Sequence, residues 1–387
     1  MSNNSENKEP LNKSFREPKL RFPEFKDEWT KYKLSTISQK ITQKNTNNEI
    51  NKVISNSAIY GLVAQEDFFD KDIVNDKNKN KYFVINKGDF VYNPRKSIQA
   101  PYGPINLLEN YESGIVSPLY TCFTVQKDYT TFLKWYFKSN KWYKYIYING
   151  DKGARGDRVS IKDSVFYGLT LYAPYKSEMN KIDNFLSAID EKINVLSMKI
   201  STLKKYKKGI VDEWFDKHDE TKKLSDLVIS KTSQLLTSQI KDNQGNFVVY
   251  DASGSTYKTI DFFSTSTDSI SIIKYGSGCG RTFVAKGRHS VLGTMAELIP
   301  NSQIDLLYLY AFTTSKYFKS ICVKYTEVGT TPNLYYSDYS KANIYYPKRR
   351  DIFIKLIKCL LEFENDLENK LTKLKTIKSF LLNILFI

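Results

Sequence analysis

Two heptad stripes of apolar residues constrain this chain more than any other feature. In the first, Ile182, Ile189, Leu196, Leu203 and Ile210 recur every seven residues, with Leu186, Ile193 and Ile200 as a companion row. In the second, Phe353, Leu360, Leu367, Leu374 and Leu381 recur at the same interval beside Ile357, Leu371 and Leu385. A seven-residue period keeps one apolar seam on one side of a helix, and such a seam calls for another helix to cover it. The stripes therefore predict a seam between two long helices.

The stripes also belong to a repeat. Displacing the first by 171 residues lays Leu203 on Leu374, Lys204 on Lys375, Lys207 on Lys378 and Phe215 on Phe386. Upstream, a displacement of 173 lays Gly156 on Gly329 and Ile161 on Leu334, and one of 190 lays Lys33-Leu34-Ser35 on Lys223-Leu224-Ser225. Pro174 closes a strand-like run Leu169 to Tyr172, and Pro347 closes Ile344 to Tyr346. Length thus varies ahead of the helices while the helices stay in register. At 387 residues the chain exceeds what one hydrophobic core usually holds, so two globular heads are expected, each followed by a helix. The boundaries read from these signals are a polar flexible tail over 1–17, a head over 18–174, a helix over 175–217, a second head over 218–347 and a helix over 348–387.

Within the heads the patterns mix strand and helix. Tyr82 to Ile85, Phe90 to Tyr92 and Tyr120 to Val125 read as strands, with Lys87-Gly88-Asp89 a turn. Leu133 to Ile148 reads as one amphipathic aromatic helix. In the second head, Asn246 to Tyr250, Ser269 to Lys274 and Arg281 to Ala285 read as strands and Leu306 to Ser320 as a helix.

Composition enters where partners are at issue. Fifty-eight Lys and Arg against 42 Asp and Glu leave a net charge of +16, a field that attracts polyanions, nucleic acid above all. Cys122, Cys279, Cys322 and Cys359 are scattered without a CxxC pair, and no apolar run approaches the roughly 20 residues that span a bilayer. A cytoplasmic, reduced protein with no membrane partner is expected.

Catalytic signals are sparse. His218 and His289 are the only histidines, which leaves no room for a His-rich zinc site or a HExxH helix and argues against a His-based triad. No GxxxxGK[ST] occurs, so ATP-driven work falls to another chain. Asp190-Glu191-Lys192 could pass for a nuclease cluster, but on a heptad helix it reads as solvated face charge. Gly276-Ser277-Gly278-Cys279-Gly280 has the glycine spacing of a cofactor cradle. The strand-like Arg281 to Ala285 follows it instead of a helix, which favours a strand-turn-strand loop. Asn93-Pro94-Arg95-Lys96 begins like the Asn-Pro-Pro-Tyr clamp for a flipped adenine and lacks its second proline and its aromatic. It reads better as a basic loop at a strand end, where base and phosphate contacts usually lie. The candidate DNA contacts are the basic and aromatic residues interleaved in the heads: Tyr92, Arg95 and Lys96; Lys152, Arg155 and Arg158; Lys274, Arg281, Lys286 and Arg288. No catalytic or metal-ligating residue is assigned.

Several local phrases carry a family resemblance. Pro18-Lys19-Leu20-Arg21-Phe22-Pro23-Glu24-Phe25, Tyr102-Gly103-Pro104-Ile105, Gly114-Ile115-Val116-Ser117-Pro118-Leu119-Tyr120, the stretch Tyr275 to Arg281 and Leu203-Lys204-Lys205-Tyr206-Lys207-Lys208-Gly209 resemble the specificity subunit of type I restriction-modification systems. The likeness spans nearly the whole chain. It departs at Lys378-Ser379-Phe380, where the first arm has Lys207-Lys208-Gly209, and at Glu364, which interrupts the companion row.

The resemblance implies an α+β fold: two globular mixed α/β target-recognition domains, separated and joined by two long antiparallel coiled-coil helices in a pseudo-twofold internal repeat. Each domain would read one half of a bipartite asymmetric site in double-stranded DNA. Two methyltransferase subunits and two motor-nuclease subunits would be the partners. S-adenosylmethionine, ATP and Mg2+ would sit on those partners, with no cofactor on this chain. The stripe from Ile182 to Ile210 spans about 42 Å of helix, comparable with one turn of B-DNA at about 34–36 Å, so the helices could set the spacing between half-sites. A coiled-coil DNA-binding regulator without a modification role and a self-contained adenine methyltransferase are the alternatives.

Overall fold

The computed structural model describes residues 17–67, 76–150, 156–240, 245–254, 258–326 and 332–387. The chain divides into two compact units, one of Met1–Val195 with Leu371–Ile387 and the other of Leu196–Lys370. Each is a mixed α/β unit. For the elements that position the site, strands β1 (Ser38–Lys40), β2 (Phe90–Tyr92), β3 (Ile105–Leu107) and β4 (Thr121–Val125) belong to the first unit. Strands β5 (Val228–Thr232), β6 (Ser269–Ile273), β7 (Thr282–Ala285) and β8 (Met295–Pro300) belong to the second. Helices are α1 (Thr130–Lys138), α2 (Tyr143–Asn149), α3 (Lys176–Trp214), α4 (Leu306–Thr314), α5 (Lys316–Tyr325) and α6 (Arg350–Ile384).

Both heptad stripes lie on long helices, α3 and α6. Of the ten seam residues, Ile182, Phe353, Leu367 and Leu381 are buried. Ile189, Leu196, Leu203, Ile210, Leu360 and Leu374 are half-buried. Each unit contains a stretch of both helices. In the second, Glu364 of α6 accepts ion pairs from Lys204 at 3.6 Å and from Lys207, and Glu368 takes Lys204 at 2.7 Å. Advancing along α3 means retreating along α6, so the two run antiparallel there. Glu364, predicted to interrupt a row, is a charged clasp beside the seam. In the first unit Asp190 of α3 pairs with Lys378 of α6 and lies 4.0 Å from Lys138. Asp190 is therefore an ion-pair partner and not the solvated face charge predicted for it.

The two sheets have one topology. In the first unit the antiparallel order is β1-β4-β2-β3, with Phe90 opposite both Phe123 and Leu107. In the second it is β5-β8-β6-β7, with Ile270 opposite both Leu298 and Val284. A short antiparallel pair closes each unit, Thr30–Lys33 with Thr170–Ala173 and Thr221–Lys223 with Asn343–Tyr345. The chain leaves each pair alike: Leu34 N–H donates to the Leu169 carbonyl and Leu224 N–H to that of Ala342, both at 2.8 Å.

Each predicted head helix is two helices. Leu133 to Ile148 breaks at Ser139, which is extended (φ −82°, ψ 173°), and Leu306 to Ser320 breaks at Ser315 (φ −66°, ψ 156°). Both hydroxyls donate back at 2.6 Å, to the Tyr136 and Phe312 carbonyls. Ser315 Oγ then caps α5 by accepting from Phe318 N–H. A short hydroxyl side chain that satisfies the backbone of a broken turn favours such a break over a continued helix.

Aromatic residues anchor a helix end in each core. Phe386, just beyond α6, packs on Phe132 and Tyr136 of α1 at 5.2 and 6.1 Å. Phe215, just beyond α3, packs on Tyr308 and Phe312 of α4 at 5.2 and 5.4 Å. The first unit adds a buried latch. Glu178 in the first turn of α3 accepts from Nε and Nη2 of Arg21 at 2.8 Å each, and from Trp29 Nε1 at 3.3 Å. The Glu178 hydrogen bond holds the Arg21 guanidinium above its ordinary pKa against the opposing effect of burial.

Candidate nucleic-acid interface

In the first unit the connection from β2 to β3, residues 93–104, is clamped by a neighbouring strand segment. Asn93 N–H donates to the Pro104 carbonyl at 3.0 Å and closes the loop base. Lys96 N–H donates to Asp157 at 2.8 Å and Val159 N–H to Pro94 at 2.9 Å, while Arg95 and Arg158 form an antiparallel bridge. Gly103 is required: its φ is +83°, and a Cβ there would lie 2.0 Å from the Asn93 carbonyl oxygen. The fold thus brings Arg95, Lys96 and Arg158 together from two separate sequence clusters. Arg95 and Lys96 are exposed and Arg158 is half-exposed.

The second unit builds the same frame between β6 and β7. Ile273 N–H donates to Arg281 at 3.0 Å, Gly276 N–H to Pro332 at 3.0 Å and Leu334 N–H to Lys274 at 2.9 Å, and Tyr275 bridges Asn333. Gly280, at φ +79°, takes the place of Gly103, and a Cβ there would meet that of Cys322 at 2.8 Å. These bonds make Leu334 the counterpart of Val159, a displacement of 175 that corrects the predicted match of Leu334 with Ile161. Antiparallel pairing of β6 and β7 makes the glycine-rich segment the strand-turn-strand loop expected of it. The side chains on the two frames differ: Arg95, Lys96 and Arg158 in one, Tyr275, Gly276 and Asn333 in the other.

Two candidate contacts are not open surface groups. Tyr92 is a core residue, 1% exposed, stacked on Phe166 at 5.2 Å with its hydroxyl donating to the Tyr102 carbonyl at 2.8 Å. Strand β2 is buried on both faces, so no alternation in sequence separates its inward from its outward positions. Lys274 is 9% exposed, and its ammonium stands 5.1 Å over the Tyr275 ring. Lys152 and Arg155 lie outside the described residues. Arg281, Lys286 and Arg288 are exposed, but not as one patch. Arg281 precedes β7 and Lys286 follows it, so about 13–17 Å of strand separates them.

A buried polar network fixes the turn that carries Lys286 and Arg288, which leads from β7 to a strand of another sheet, His289–Val291. His289, fully buried, sets Nδ1 2.9 Å from the Gly287 carbonyl and Nε2 2.6 Å from Oε1 of buried Glu297. Glu297 also accepts from the hydroxyls of Thr265 at 2.7 Å and Ser269 at 2.8 Å. Both ring nitrogens face acceptors, so the ring is held as an imidazolium. Burial opposes that charge most strongly, yet the bonds to Glu297 and Gly287 outweigh it and raise the His289 pKa above 6.5. Burial also opposes the Glu297 charge, and the same contacts hold its pKa below 4.5. Sequence reading missed this network, since its members stand 8 to 32 residues apart and no spacing motif joins them. Among the described residues no group of three or more His, Cys, Asp and Glu side chains could hold a metal.

The sequence pattern of the type I restriction modification DNA specificity domain matches residues 217–378, which include the second of these frames. The chain carries this specificity domain over residues 217–378. The fold is similar to that of the S subunit of a type I restriction-modification system from M. genitalium, with 17% identity over 96% of this chain and 99% of that one and a TM-score of 0.56. It is also similar to a chain from a structure describing complex assembly and conformational transition of the type I R-M system, with 10% identity over 92% of this chain and 96% of that one and a TM-score of 0.57. Identities this low speak for the fold alone. No curated protein matches by sequence. Among the described residues no helix is long and apolar enough to cross a membrane.

Proposed function

We propose that this specificity protein is an internal duplication whose two heads, residues 18–174 and 218–347, each read one half of a bipartite asymmetric DNA site. The observation that carries this reading is the matched pair of clamped loops, one frame of hydrogen bonds presenting different side chains. A shared frame gives both heads the same approach to the duplex, and different side chains give them different bases to recognise. In the first head Arg95, Lys96 and Arg158, with Lys152 and Arg155 of the adjoining segment, contact bases and phosphates. In the second, Arg281, Lys286 and Arg288 do so. The seam helices set the spacing between half-sites and dock two methyltransferase subunits, and two motor-nuclease subunits complete a cytoplasmic assembly. S-adenosylmethionine, ATP and Mg2+ act on those partners.

A single-molecule methylome of cells with and without the gene tests the reading. One bipartite adenine motif appears with the gene and vanishes without it. Purified complexes free of any methyltransferase would instead make the chain a DNA-binding regulator. Lengthening both helices by one heptad, about 10 Å, widens the unread gap in that motif by about three base pairs; an unchanged gap defeats the spacing role.

A further inference from the structure

The clamped loop of the second unit also walls a cavity of about 600 Å³, within the size range of small-molecule sites. Backbone bonds assemble it from distant segments. Lys274 N–H donates to the Thr294 carbonyl at 2.9 Å, Gly293 N–H to Leu235 at 2.8 Å, and Leu334 N–H to Lys274 at 2.9 Å. The last of these bonds, with the Tyr275–Asn333 bridge, draws Tyr335 and Tyr336 alongside Tyr275. Three tyrosines, Leu292 and Lys274 therefore line one space.

Lys274 is the unusual member. It is more than nine-tenths buried, and its ammonium has the Tyr275 ring as its recorded neighbour. Among the described residues no carboxylate pairs with it. Burial alone pulls its pKa below the usual lysine value. A cation kept from water without a counter-ion is costly, and an arriving anion relieves that cost. Aromatic walls favour a flat ring system, and the hydroxyls of Thr232 and Thr294 and the Gln234 amide, which also line the space, can pair with the edge of a base. In the first unit the corresponding positions hold exposed Arg95 and half-exposed Arg158, an open basic surface.

We infer that this cavity binds a single nucleotide, its phosphate on the Lys274 ammonium and its base against the tyrosine rings. The nucleotide comes either free from solution or as a base turned out of a DNA duplex, with the same chemistry in both cases.

Calorimetric titration of the full-length chain with dAMP, dCMP, dGMP and dTMP, and with inorganic phosphate as the anion-only probe, tests the inference. At least one nucleotide binds about tenfold more tightly than phosphate, and Lys274→Met weakens it by about tenfold while the melting temperature is kept. If Lys274→Met does not fold, Tyr335→Ala, at an exposed position, still weakens binding by about fivefold or more. The inference is overturned if none of the four binds at millimolar concentration, if phosphate binds as tightly as the nucleotides, or if the folded variants bind unchanged. Duplexes of the methylated motif carrying 2-aminopurine at successive positions distinguish the source. A fluorescence rise with the native chain and not with the weakened variant assigns the nucleotide to DNA, and a flat signal alongside nucleotide binding assigns it to the free ligand. Failure of the half-site reading would leave the mononucleotide result standing, so the two claims fail separately.

Discussion

The two units answer the same structural problem in the same way and then present different chemistry. Both use a four-stranded antiparallel sheet of one topology, a helix broken at a serine, a phenylalanine from beyond a long helix as anchor, and a glycine with positive φ where a loop doubles back. On that common frame the first unit carries Arg95, Lys96 and Arg158, and the second carries Tyr275, Gly276 and Asn333 over a buried lysine. The second also stiffens its basic turn with an internal His289–Glu297 pair, while the first latches its opening segment to α3 through Arg21 and Glu178. The lesson is a separation of tasks. Backbone hydrogen bonds define where a loop stands, and exchangeable side chains define what it meets.

The anchors give the largest expected effect. Phe215→Ala and Phe386→Ala each open a cavity among aromatic rings and cost about 3–5 kcal/mol. If the units are equivalent in build, limited proteolysis finds the second unit cut first in the Phe215 variant and the first unit cut first in the Phe386 variant. The same fragments from both variants would break the comparison. Next is the latch, which the comparison assigns to the first unit. Glu178→Gln removes the charge partner of a nearly buried arginine and costs about 3 kcal/mol, read as a lower denaturant midpoint, with protection lost around residues 20–30 and not in the second sheet.

The smallest of these effects is a pH dependence confined to the second unit. Because the folded His289 pKa is raised above 6.5, its contribution is complete below that value and is lost as pH rises through the folded pKa. Because Glu297 is depressed below 4.5, its contribution is present above that value and is lost as pH falls through the folded pKa. The pair therefore supports the turn best between those two values and slackens on the alkaline side. Hydrogen exchange over residues 264–269 and 286–290 quickens, beyond the intrinsic pH effect, as pH rises from 6.5 through the folded His289 pKa. His289→Gln removes that excess. An equal excess in the first unit would deny the asymmetry.

What could be read in the sequence follows the range of the forces involved. The long helices and the β6–β7 turn were legible because a heptad period and a glycine cluster act within a few residues. The breaks at Ser139 and Ser315 were not, since the apolar period runs through both and only a local hydroxyl bond decides against a continuous helix. Tyr92 misleads because a doubly buried strand shows no alternation. The convergence of Arg95 with Arg158 depends on a bridge across 63 residues, and the Arg21–Glu178 latch on one across 157. No local pattern carries such pairings.

The central claim is that two readers on one frame recognise separate half-sites, and a methylome comparison of two double variants tests it most directly. Arg95→Ala with Arg158→Ala removes side chains from the first frame, and Lys286→Ala with Arg288→Ala removes them from the turn after β7 in the second unit; a base contact of this kind contributes about 1–3 kcal/mol of discrimination. The account predicts that the first double variant relaxes the bases of one half of the methylated motif and the second relaxes the other half, with the gap between halves unchanged. Relaxation of the same half by both, or of neither, would contradict it.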